Sequence, residues 1–108
     1  LDWEDESEIL RSKFPALVEA APSLIDDLGR ATAALRASIK NEEVFGEFTH
    51  RGLCEVLSEC EDHLWMEGGK APHNLLRLGF RAWLDRLDAD NRQVAMRAID
   101  PHIGGGAF

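Results

Sequence analysis

Apolar residues recur along this chain with the period of an α-helix. From Leu24 the positions Leu24, Leu28, Ala31, Leu35 and Ile39 follow at steps of four, three, four and four, which predicts a helix with one buried stripe. Asp26 and Asp27 lie in its early turns and Arg36 and Lys40 in its last, the order that the helix dipole favours. The stretch 42–65, EEVFGEFTHRGLCEVLSECEDHLW, reads as one long helix around which the rest of the chain is organised. At 100° per residue Phe45, Leu53, Val56, Leu57, Cys60 and Leu64 share one arc, while Glu47, Arg51, Glu55, Ser58, Glu59 and Asp62 fall on the far side. Gly46 and Gly52 interrupt the inward stripe. Each costs roughly 1 kcal/mol against Ala in a helix interior, so both are expected to be contact points for a crossing helix. Asn41 offers a stop or a cap just before Glu42.

Prolines and glycines divide the remainder. After Leu1, the segment to Lys13 carries only Trp3, Ile9 and Leu10 as large apolar groups. They are expected either as a short helix over 4–12 laid on the body or as a loosely attached end. Phe14-Pro15 breaks this segment and starts a short helix over 15–20 with Leu17 and Val18 inward, and Pro22 restarts the chain again. Glu67-Gly68-Gly69 is expected to end the long helix. Pro72 opens another that carries Leu76, Phe80, Trp83, Leu84 and Leu87, with Arg77, Arg81 and Asp85 on its outer face. Asp88 or Asp90 can cap a last helix with Val94, Ala95, Ala98 and Ile99, ended by Pro101. The tail 101–108, with Gly104-Gly105-Gly106, is expected to be flexible unless Ile103 or Phe108 docks. No alternating run reads as a strand. The expectation is one all-α domain over 1–108, a bundle of four to six helices around a long central one.

Charge narrows the classes of partner. Twenty acidic residues against twelve basic ones give a net charge of −8. That balance argues against nucleic acid and anionic membranes and favours a basic protein. No run reaches the roughly 20 apolar residues of a membrane span, and LDWEDESEIL is not a signal peptide, so the cytoplasm is the expected location. Cys54 and Cys60 would stand about 9 Å apart along a helix axis, which predicts two reduced thiols rather than a disulfide.

Candidate chemistry is sparse. His50 and Cys54 are four apart, as are Glu59 and His63, a spacing that can direct two side chains to one metal, with His73 or His102 as a third ligand. A small metal-dependent helical enzyme built on His50, Cys54, Glu59 and His63 is therefore one reading. The spacing from Glu59 to His63 is wrong for the Glu-x-x-His motif of helical di-metal sites, however, and nucleotide-binding and nucleophile-elbow motifs are absent. The acidic neighbours Glu55, Glu59, Glu61 and Asp62 also disfavour an activated thiol. No catalytic residue, metal ligand or cofactor is assigned. What remains is recognition: Glu47, Glu55, Glu59, Asp62 and Trp65 form an aromatic-and-carboxylate surface suited to a basic protein. An oligomerisation or adaptor module is the third reading.

The segments Phe14-Pro15-Ala16-Leu17, Val44-Phe45-Gly46-Glu47-Phe48 and Asp100-Pro101-His102-Ile103-Gly104 sit in a small acidic helical chain. In that general character it resembles the immunity proteins of bacterial toxin systems. The resemblance implies a non-enzymatic protein that neutralises a cognate toxin, possibly a basic nuclease, by occlusion, and it assigns no site residue.

Overall fold

A computed structural model describes residues 2–67 and 72–103, the side chains of 65–67 and 72–74 excepted. Within these residues the chain forms α1 (Trp3–Lys13), α2 (Pro15–Ala20), α3 (Leu24–Lys40), α4 (His50–Glu67), α5 (Pro72–Leu84) and α6 (Ala89–Ile99), closed by a 3-10 turn over Asp100–His102. The fold is the all-α bundle that the periodicity predicts. Among the described residues no helix is long and apolar enough to cross a membrane.

Local chemistry explains most of the boundaries. The Asp2 carboxylate accepts the Asp5 N–H at 2.9 Å and the Asp88 carboxylate accepts the Asn91 N–H at 2.9 Å, so α1 and α6 each begin on an aspartate cap. Pro15 occupies the first turn of α2, where its missing N–H is no loss. Pro101 ends α6 by forcing the tighter closing turn, which docks Ile103 into the core. The Gly68-Gly69 stop, the Gly104–Gly106 tail and Phe108 lie outside the described residues.

The helix that most others lean on is α3, which meets α1, α2, α5, α6 and the closing turn, whereas α4 pairs chiefly with α5. Leu24, Leu28, Ala31 and Leu35, the stripe read from the sequence, are fully buried, together with Ile25. Of the two arrangements open to the N-terminal segment, the observed one is the helix laid on the body. Leu10 is fully buried, and the Trp3 indole covers Gly29, where an added Cβ would come within 2.5 Å of the ring. Leu53, Val56, Leu57 and Cys60 of α4 face Leu75, Leu76, Phe80, Trp83 and Leu84 of α5 in the same continuous core.

The glycine that lets two helices approach is Gly79, not Gly46. A Cβ at Gly79 would lie 2.6 Å from the Val56 carbonyl oxygen and 2.8 Å from Cys60 Sγ, so α5 rests directly on the backbone of α4. Gly46 has nothing within 4 Å of that position, and the neighbour of Gly52 is the Phe48 ring at 3.0 Å rather than a crossing helix. Cys60 sits beneath this contact and donates its S–H to the Leu75 carbonyl at 3.1 Å. Burial, helped by the neighbouring Glu59 charge, pushes its thiol up to about 12.

One ion pair is built into the interior, where Thr32 is the other buried polar residue among those described. Glu6 of α1 is 3% exposed and receives both terminal nitrogens of Arg36 from α3, at 2.7 and 3.2 Å. The third guanidinium N–H, on Nε, donates to the Phe48 carbonyl at 2.9 Å, and His50 Nδ1 lies 3.4 Å from the same carboxylate. The hydrogen bonds from Arg36 hold the Glu6 carboxyl below its ordinary value of 4.5, against the opposing effect of burial.

This packing predicts three measurable effects. Arg36→Ala leaves Glu6 buried without its cation, and it should lower unfolding free energy by roughly 3 kcal/mol in urea titrations. That is the lower end for a broken buried pair, because the guanidinium keeps some water contact. Since the folded Glu6 value is depressed, its contribution is complete above pH 4.5 and lost as pH falls through the lowered folded value. Glu6→Gln should flatten stability against pH in that acid range, and an unchanged slope would remove Glu6 from the account. Separately, Gly79→Ala should destabilise by about 1–3 kcal/mol in thermal melts despite alanine's helix propensity, because the methyl has to push two helices apart. A raised melting temperature would contradict the close approach.

Candidate functional site

The surface that projects from the bundle is built by residues 41–49, the segment joining α3 to α4. The sequence predicts helix from Glu42 onward; the structure instead starts α4 at His50. The reason is visible at the end of α3. Glu43 N–H bonds to the Ser38 carbonyl at 2.9 Å and Glu42 N–H to the Ile39 carbonyl at 3.1 Å, the paired bonds that close a helix. This closure requires a left-handed residue after the cap. Glu42 supplies it at φ 61, in a position usually held by glycine. Asn41 therefore caps the C-terminus of α3 instead of opening the next helix. At the other end the Thr49 carbonyl accepts the first helical N–H of α4, from Leu53 at 3.1 Å.

Between these limits the chain is pinned on both sides. Val44 and Phe48 are buried, Phe48 lying 5.6 Å from the Phe80 ring and edge-on to Trp83 at 5.2 Å. Gly46, at φ 138, turns the backbone between them in a conformation closed to other residues. Phe45, assigned to the buried arc by helical phase, is 79% exposed because the segment is not helical. Its backbone is nevertheless fixed: its N–H donates to Asn91 Oδ1 at 3.1 Å, and Asn91 Nδ2 donates to its carbonyl at 3.3 Å. Asn91 belongs to the first turn of α6, so a residue 46 positions away holds the loop. Sequence reasoning missed Asn91. The local signals were Asn41 and Gly46 among the charged residues Glu42, Glu43 and Glu47, a composition that favours a turn.

The surface residues named from the sequence are arranged as follows. Glu47 is exposed on the loop, and it lines a groove with Arg51, Glu55, Trp83 and Arg86. A second groove between α4 and α5 shares Arg51, Glu55 and Arg86 and adds Glu59. Three of the five residues thus lie along one side of the molecule, and Asp62, exposed one turn beyond Glu59, continues the row. Glu55 differs from the others in being neutralised internally, by Arg86 at 3.0 Å and Arg51 at 3.8 Å. Trp65 belongs to α4, but its side chain lies outside those described.

The alternative constellation does not assemble. His50 turns to Glu6, Cys54 lies 3.8 Å from Lys13 Nζ, and the His63 Nδ1 atom is buried with no hydrogen-bond partner. Among the described residues no group of three His, Cys, Asp or Glu side chains is placed to hold a metal ion, while the His73 side chain is outside them. Both cysteines are free thiols.

Replacing Glu42 by Gly tests the loop geometry directly. Relief of the left-handed strain should raise unfolding free energy by about 0.5–1 kcal/mol, net of the extra freedom that glycine gives the unfolded chain. A loss of stability in denaturant titrations would mean that the Glu42 side chain contributes more than its backbone costs.

Searches of family models, curated proteins and solved structures find no match to this chain.

Proposed function

We propose that the chain is a non-enzymatic protein-binding module that engages a basic protein through the carboxylates Glu47, Glu59 and Asp62, together with Trp65. In this role it would act as the immunity proteins of bacterial toxin systems do, neutralising a basic toxin such as a nuclease by occlusion. The observation that carries the proposal is the imbalance along this side of the molecule. Its two cations nearest the grooves, Arg51 and Arg86, are both committed to Glu55. Glu47, Glu59 and Asp62 face solvent or the grooves with no ion pair among the described residues, in a chain of net charge −8. Unneutralised carboxylates of this kind steer a cationic partner and repel phosphate backbones.

The distribution of ion pairs also decides which residues should be changed. Reversal of Glu55 disturbs Arg51 and Arg86 as well as any partner, so it confounds internal and external effects. The informative variant is the triple reversal of Glu47, Glu59 and Asp62 to Lys. Against the partner recovered by affinity purification, titrations at two salt concentrations should show at least tenfold weaker binding at low salt and a shallower salt dependence. Equal affinity and equal salt slope for both proteins would end the proposal.

A further inference from the structure

Phe45 presents a large apolar side chain to water from a backbone that is held in place, and three independent features frame it. It is 79% exposed, while its loop neighbours Val44 and Phe48 are buried at 2% and 4%, so the segment is anchored on both sides of the ring. Both of its backbone polar groups are taken up by the Asn91 carboxamide, at 3.1 and 3.3 Å, so the backbone that carries the ring is held by α6. The nearby Glu42 occupies a left-handed position that glycine would occupy at lower cost, and with Glu43 and Glu47 it gives the loop three exposed carboxylates within three positions of Phe45.

A mobile loop loses conformational freedom when it binds; a loop fixed in advance does not. An exposed aromatic ring within a charged rim is also the arrangement found at the centre of protein interfaces, where the ring fills a pocket and the charges set orientation. We infer that Phe45 is the anchor of a docking surface whose occupant is a basic protein bearing an apolar cleft the width of a phenyl ring, rimmed by Lys or Arg. Glu42, Glu43 and Glu47 choose the sign of that rim. They also oppose the alternative in which the ring inserts into a second copy of this acidic chain. The inference rests on the reading of the chain as a protein-binding module, and it adds an apolar contact that the carboxylates do not supply.

The experiment places a photo-reactive phenylalanine analogue at position 45 of the full chain, with the same analogue at Glu8 on exposed α1 as control, in cells that produce the protein. The species joined through position 45 and not through position 8 is purified, and its affinity is measured for the unmodified chain and for Phe45→Ala, Phe45→Trp and Asn91→Ala. Phe45→Ala should bind roughly ten- to hundred-fold more weakly with an unchanged melting temperature, since the ring is exposed in the free protein. Phe45→Trp should retain binding, and Asn91→Ala should weaken it several-fold while raising amide exchange at Phe45. Binding of Phe45→Ala within twofold of the parent overturns the anchor, as does a captured species that is another copy of this chain or a nucleic acid, and as does capture of nothing from position 45. If the carboxylate reversals weaken binding while Phe45→Ala does not, the anchor fails and the wider binding reading stands; if neither variant has an effect, both fail.

Discussion

The contact between Glu6 and Arg36 is the constraint on which the arrangement of the other parts depends. Apolar burial is non-directional, and the apolar positions of α1, α3 and α4 would tolerate several ways of lying together. A carboxylate that is 3% exposed has far fewer acceptable positions, because it needs its counter-charge at hydrogen-bond distance. Arg36 meets that need with two of its nitrogens and spends the third on the Phe48 carbonyl. One guanidinium thereby aligns α1, α3 and the last turn of the connecting loop. With its backbone so placed, Phe48 meets Phe80 and Trp83, and α4 can start only where it does.

Much of this fold was legible because proline and period are local signals. Pro15 and Pro72 begin helices where expected, and the α3 stripe is buried as its steps of three and four require. The error at 42–49 is equally physical. Phe45 keeps helical phase with Leu53 and Val56, so angular position alone cannot separate a continuing helix from an unrelated loop. What decides the matter is closure of α3 through a left-handed glutamate, a choice that sequence propensity argues against. Asn41 and Gly46 were the available cues, and Gly46 was read as a packing glycine when its role is conformational. The packing glycine proved to be Gly79, which lies in an unbroken helical period and gives no sign in the sequence of what it will touch.

Long-range partners account for what remained hidden at the surface. The acidic character of α4 could be read from composition, but the neutralisation of Glu55 depends on Arg86, brought back by α5 from 31 positions away. Nothing local separates Glu6 from Glu4 and Asp5 in the first turn of α1, and helical position alone gives Arg36 only a role toward the helix dipole. Asn91 illustrates the same limit. Its backbone serves the cap of α6, a local role, and its side chain holds a loop that the chain left 46 residues earlier.

The two thiols of α4 differ in a way that gives the molecule an internal gauge of its own opening. Cys54 is half-buried and reaches a groove, whereas Cys60 is sealed under Gly79 with its proton held at ordinary pH. An alkylating reagent reaches the first in the folded protein, but it reaches the second only after α5 has lifted from α4. In the free protein the ratio of the two labelling rates therefore reports the free energy of separating that helix pair, without any added probe.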